Sequence, residues 1–139
     1  MKKRGVTLLL AIFISSLALA LSLGIFTIIF GELGISGTSK ESLEAFYAAD
    51  SGIECALFWD IKQQAFSTST SNNISCAGNS FSVGGSLLSI FDLNLSSNSC
   101  AHVRLQKTGS ETIITSLGEN IACGLIGSRT VQRGLEVKY

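Results

Sequence analysis

The residues able to do chemistry are few and scattered. Cys55, Cys76, Cys100 and Cys123 are the four cysteines, and none sits in a C-x-x-C pair, so zinc binding is not expected. In an oxidising compartment their chemistry is disulfide formation, and in a reducing one they stay as buried thiols. Four cysteines allow three connectivities. The favoured one joins Cys55 to Cys76, tying a helix to the loop after it, and Cys100 to Cys123, tying two strands. Each closed loop is about 20 residues, worth on the order of 3 kcal/mol in the chain-entropy account. His102 is the single histidine, which excludes motifs that need two. In AHVRL it reads as a surface or packing residue of a strand rather than a base. Asp92, Glu111 and Glu119 are dispersed, and no spacing groups them into a general acid–base pair. There is no G-x-S-x-G, H-E-x-x-H, P-loop or dinucleotide fingerprint. Asn73-Ile74-Ser75 and Asn94-Leu95-Ser96 match the glycosylation sequon by pattern alone. Phe58 and Trp59 read as packing anchors. The expectation is a non-catalytic chain with no cofactor.

Composition supports that reading. The 139 residues suffice for one modest domain. Hydrophobic residues make up 46% and charged residues 14%, which argues against intrinsic disorder. Ten Lys plus Arg balance ten Asp plus Glu, so there is no basic surplus for nucleic acid. Proline is absent, which removes any PPII segment.

The apolar excess is concentrated near the N-terminus. Lys2, Lys3 and Arg4 form a basic cluster, Gly5 follows, and no charged residue occurs from Gly5 through Gly31. As a helix, Val6 to Phe30 would be roughly 37 Å long, enough to cross a hydrocarbon core of about 30 Å. The basic cluster ahead of the span places the N-terminus in the cytoplasm and the rest outside it. Cleavage at the small-x-small site Ala18-Leu19-Ala20 would leave LSLGIFTIIF as a strongly apolar new N-terminus. An uncleaved signal anchor also accounts for the span and its orientation.

The string MKKRG followed by VTLLLAIFIS resembles the leader of type IV pilin-like proteins. The resemblance implies that a prepilin peptidase cuts between Gly5 and Val6 on the cytoplasmic face. Val6 becomes the first mature residue, usually methylated, and the apolar helix is kept for assembly. Thr7, Leu8 and Leu9 match common residues just after that site. Major pilins carry a glutamate at the fifth mature position, where this chain has Leu10. A carboxylate in hydrocarbon costs several kcal/mol unless paired, and here there is none to pair with a neighbour's N-terminal amine. Its absence resembles minor pilins and tip pseudopilins of the PilX type. The segment FYAADSGIECAL is also similar to the post-membrane helix of that group.

Beyond the span, Gly31, Gly34 and Gly37 with Ser36, Thr38 and Ser39 suggest a flexible or partly melted stretch over 31–39. Apolar spacing then predicts an amphipathic helix over 40–62. Leu43, Phe46, Tyr47, Ile53, Ala56, Leu57 and Ile61 form its packed face, with Glu41, Glu44, Asp50, Glu54 and Asp60 mostly on the other. Residues 66–80 read as a Ser/Thr/Asn-rich loop. After it, FSVGG, LLSIFDLNL, AHVRLQK, ETIITSL, NIACGLI and RTVQRGLEVKY suggest four or five antiparallel strands.

The expected fold class is therefore α+β, a long N-terminal helix packed on a small antiparallel sheet head, as in pilins. The expected organisation is a leader (1–5), an assembly helix (6–30), a flexible stretch (31–39) and a head (40–139). The resemblance implies other pilin or pseudopilin subunits, a prepilin peptidase, the inner-membrane assembly platform and membrane lipid as partners. It places the chain in the cytoplasmic membrane and, after assembly, at the cell surface. The alternative is a signal-anchored single-pass protein whose outer domain binds a partner without polymerising.

Overall fold

The computed structural model describes residues 3–139, with side chains from residue 5 onward. It is α+β: one long helix and two antiparallel sheets. The chain divides into two compact units, Met1–Thr38 and Ser39–Tyr139.

Helix α1 spans Lys3–Leu57. Within the first unit every residue from Gly5 to Thr38 is exposed. The polar side chains of this stretch turn back on their own helix. Ser15, Ser16, Ser22 and Thr27 donate to the carbonyls of Ile12, Phe13, Ala18 and Gly24 at 2.8–3.0 Å. Such bonds satisfy a hydroxyl without water. Residues 31–39 are helical in the structure, not melted. Three glycines lower helix propensity by about 1 kcal/mol each, which weakens a helix without removing its backbone hydrogen bonds.

In the second unit α1 ends in a single π-helical turn, Phe58–Lys62. Strands β1 (Ser71–Cys76) and β2 (Asn79–Gly84) form a hairpin. Its turn has positive φ at both Ala77 (48°) and Gly78 (79°), the conformation that matches strand twist. Strands β3 (Leu88–Asn94), β4 (Cys100–Thr108), β5 (Glu111–Glu119) and β6 (Gln132–Lys138) follow. They form one antiparallel meander in the order β3-β4-β5-β6. Among the described residues there are thus six strands in two sheets rather than four or five in one. Two thirds of the expected 66–80 loop, residues 71–80, belong to the hairpin. The apolar string NIACGLI, expected as a strand, is a loop between β5 and β6.

The sheet packs one face on α1. Ala101, Val103 and Leu105 of β4, Ile114 and Ser116 of β5, and Phe91 and Leu93 of β3 are buried, and the residues between them are not. The helix meets them with small residues: Ala45, Ala48, Ala49, Gly52 and Ala56, together with Ile53. This corrects the expected packed face. Leu43, Phe46, Tyr47 and Ile61 are exposed, Tyr47 at 59%. The reason is close approach. A Cβ on Gly118 would overlap the Ala45 carbonyl oxygen and the Ala49 backbone. A Cβ on Gly52 would lie 2.8 Å from Val103 Cγ2 and 3.1 Å from Ala101 Cβ. Helix and sheet backbones nearly touch, leaving no layer for large side chains. Phe66, Phe81 and Phe91 then tie the hairpin to the meander, with the Phe81 and Phe91 rings 4.9 Å apart.

Gly118→Ala should therefore destabilise the second unit by about 3 kcal/mol, since backbone rather than a movable side chain blocks the added methyl. Urea unfolding of the detergent-solubilised chain, followed by the fluorescence of its single tryptophan, Trp59, checks this.

Candidate functional site

The Gly5–Val6 junction lies inside α1, at the start of its uncharged run. Lys2 of the expected leader lies outside the described residues, as do the side chains of Lys3 and Arg4. Nothing in this chain's own packing requires glycine at position 5. A Cβ there would meet no atom within 4 Å. Glycine in a helix nonetheless costs about 1 kcal/mol relative to alanine. The same openness holds at Gly24, Gly31, Gly34 and Gly37. In a membrane, small residues on a helix allow close approach of other helices.

The run after Gly5 presents apolar surface all round. Val6, Leu8, Leu9 and Leu10 are 57–70% exposed, and Ile14, Leu21 and Phe30 are comparable. A contiguous apolar surface of this extent is not stable against water. The segment is long and apolar enough to span a membrane. Leu10 offers no charge, so this stretch presents only apolar surface and backbone-satisfied hydroxyls.

The second unit holds two polar clusters. The first is centred on Asp60, which the apolar spacing sets opposite the packed face but which is buried. The π-helical turn rotates it inward, where its carboxylate accepts from Lys107 Nζ at 2.6 Å and from Tyr139 Oη at 2.7 Å. Burial, and then the hydrogen bond and charge of Asp60, hold the Tyr139 hydroxyl well above its ordinary pKa, so it stays a donor. These groups border an open cleft of about 590 Å³. Both carboxylate oxygens are engaged, so the cluster reads as an anchor between the helix end, β4 and the last residue rather than a reacting group. It was out of reach of sequence reasoning, because its partners lie 47 and 79 residues away.

The second cluster surrounds His102. The β3–β4 register sets Asp92 opposite His102, and Nδ1 lies 2.7 Å from Asp92 Oδ1. Nε2 lies 3.7 Å from Glu119 Oε2 of β5. Burial pulls the imidazole pKa down, but the hydrogen bond and charge of Asp92, with those of Glu119, outweigh it and leave the value raised above 6.5. Glu111, by contrast, is exposed at the β4–β5 turn, away from this group. Among the described residues no group of acidic, histidine or cysteine side chains could hold a metal ion.

The four cysteines form two disulfides, Cys55–Cys76 and Cys100–Cys123. The first joins the last turns of α1 to the end of β1. The second joins the start of β4 to the β5–β6 loop, so it ties a strand to a loop rather than two strands. That loop is held at several points. The Cys123 amide donates to Asn94 Oδ1 at 3.0 Å, and the Asn120 side chain bridges the Arg129 carbonyl and the Val131 amide. Comparison with protein-family models, curated proteins and solved structures finds no match to this chain.

Two outcomes follow from the clusters. Lys107→Ala leaves a buried carboxylate with one partner fewer and should cost about 3 kcal/mol, part of which Asp60→Asn in the same background restores. A urea midpoint series on the single and double variants measures both. For His102 the folded-state pKa is raised, so its contribution to stability is fully present below about pH 6.5 and is lost as pH rises through the higher folded value. The midpoint of the wild-type chain should fall across that window, and His102→Gln should flatten the curve.

Proposed function

We propose that this chain is a minor subunit of the type IV pilin-like class, processed after Gly5 and built into a filament through residues 6–30. The observation that carries the reading is the conjunction at the N-terminus. A basic cluster, a glycine that the fold does not require, and an uncharged helix exposed on every face follow one another directly. A prepilin peptidase would read the first two. The assembly platform and sister subunits would take the third.

The physical step is an exchange of neighbours. In the bilayer the apolar surface of α1 faces lipid tails. In a filament core it faces like helices, so its burial persists after extraction. The open glycines supply places where helices approach closely. With Leu10 in place of a carboxylate, no ion pair fixes the register. That suits a subunit present in few copies, positioned by its neighbours. The second unit, with its clamped loop and exposed helix face, would carry whatever specificity the subunit has.

Mass spectrometry of the mature N-terminus in the native membrane tests this. The expected chain begins at Val6, with or without a methyl group. An intact Met1 supports the signal-anchored alternative, and a start at Leu21 supports ordinary secretion. Replacing Gly5 with a bulky residue should abolish processing and filament incorporation together. Unchanged processing in that variant would overturn the proposal.

A further inference from the structure

The two disulfides differ in one respect that bears on reactivity. Beside Cys100–Cys123 stands the only imidazole in the chain, with His102 Nε2 at 3.5 Å from Cys100 Sγ. The other ring nitrogen is held by Asp92, so the ring is oriented with Nε2 toward the sulfur. Cys55–Cys76 has no such neighbour. Burial adds a direction. Cys100 is fully buried, whereas Cys123 is partly exposed on the β5–β6 loop. An incoming nucleophile therefore reaches Cys123, and the sulfur that must leave is the one beside the imidazole.

We propose that Cys100–Cys123 is a thiol-exchange site, in which Cys123 takes the incoming thiolate and Cys100 leaves as a thiolate stabilised by His102. The partner class is a thiol, either a small molecule or a protein dithiol. In the first step the partner's thiolate forms a bond to Cys123 Sγ while the Cys123–Cys100 bond breaks. The electron pair passes to Cys100 Sγ, next to the protonated Nε2. In the second step another thiolate attacks the partner's sulfur in the mixed disulfide and releases Cys123 as a thiolate. Two thiols are oxidised to one disulfide and the protein disulfide is reduced by two electrons. A leaving thiol of lower pKa departs faster, and a neighbouring imidazolium lowers a cysteine pKa. Opening the bond frees the β5–β6 loop at one of its anchor points. That loop displays Leu125 and Ile126, the latter 99% exposed.

The charged groups around His102 are consistent with imidazolium at this position. Asp92 faces it from β3 and Glu119 from β5. Farther along the same sheet face lie Arg104 of β4 and Glu136 of β6, the latter paired with Lys138. Burial lowers its pKa, but Asp92 and Glu119 raise it by more, which favours the protonated ring. The inference stands independently of the filament reading, since it concerns only the second unit.

The test uses the full-length chain in detergent micelles, limiting dithiothreitol, and an iodoacetamide quench read by peptide mass spectrometry. The readout is the ratio of opening rates, Cys100–Cys123 over Cys55–Cys76, at one pH, which cancels ionisation of the reductant. A leaving-group pKa lowered by about two units gives roughly a tenfold larger ratio with His102 protonated than with it neutral. The ratio should therefore fall about tenfold between about pH 6 and about pH 9, and His102→Gln should remove that dependence. Asp92→Asn, which keeps the imidazole, should move the midpoint to lower pH. Brief glutathione treatment should leave the adduct on Cys123. A ratio independent of pH, an unaltered profile in His102→Gln, an unmoved midpoint in Asp92→Asn, or an adduct on Cys100 would each overturn the proposal.

Discussion

The second unit rests on how closely one helix lies on one sheet. Ala45 and Ala49 sit against Gly118, and Gly52 sits against Val103 and Ser116, so two backbones meet almost without side chains between them. That contact decides which residues are buried elsewhere. Small residues occupy the seam. The large apolar residues of the same helix turn outward. The aromatic cluster of Phe66, Phe81 and Phe91 fills the space beyond the seam where helix and sheet diverge. Among the described residues the buried Ser116 hydroxyl has no hydrogen-bond partner, which is the kind of cost a seam this tight imposes.

Two further ties hold the unit at its ends. At the end of the helix the π-helical turn delivers Asp60 to Lys107 and Tyr139, joining helix, β4 and the last residue through one carboxylate. Trp59 of the same turn donates its indole N–H to the Ser75 carbonyl, so the turn is bound to the hairpin as well. At the other end of the sheet, Cys100–Cys123 and the Asn94 and Asn120 side chains fix a loop that has little core of its own. Covalent and polar ties stand where apolar burial is thin.

Where the sequence was readable, it was because the signal is local. The uncharged run 6–30 is plain from composition. Strands β3 to β6 are legible as short β-branched and aromatic runs between Gly, Asn and Ser, with partial alternation in VRLQ, TIIT and LEVKY. In LSIFDLN burial alternates without a break, but the polarity does not follow it: Ser89 is buried and Ile90 exposed. The misreadings have a common cause. Hydrophobic periodicity gives weight to large residues, so it places Ile53 and Ala56 correctly but adds Phe46 and Tyr47 to the core and leaves out Ala45, Ala48, Ala49 and Gly52. Strand β1, SNNISC, has one fully buried apolar residue, Ile74, and so looked like a loop. NIACGLI has strand-like composition, yet its Leu125 and Ile126 face solvent, since no neighbouring strand pairs with it. The Asp60 and His102 clusters depend on tertiary contact and strand register, which no local pattern encodes.

The disulfides also determine how far the chain can be stretched. Cys55–Cys76 and Cys100–Cys123 close segments with sequence separations of 21 and 23. At about 3.4 Å per residue, each removes roughly 70–80 Å of contour from a chain pulled at its ends. A tensile load carried by α1 would reach the β1–β2 hairpin through a covalent bond at Cys55, just beyond the seam residues Ala45 to Gly52. Even with its core disrupted, such a molecule would withhold that part of its length until a sulfur–sulfur bond opened.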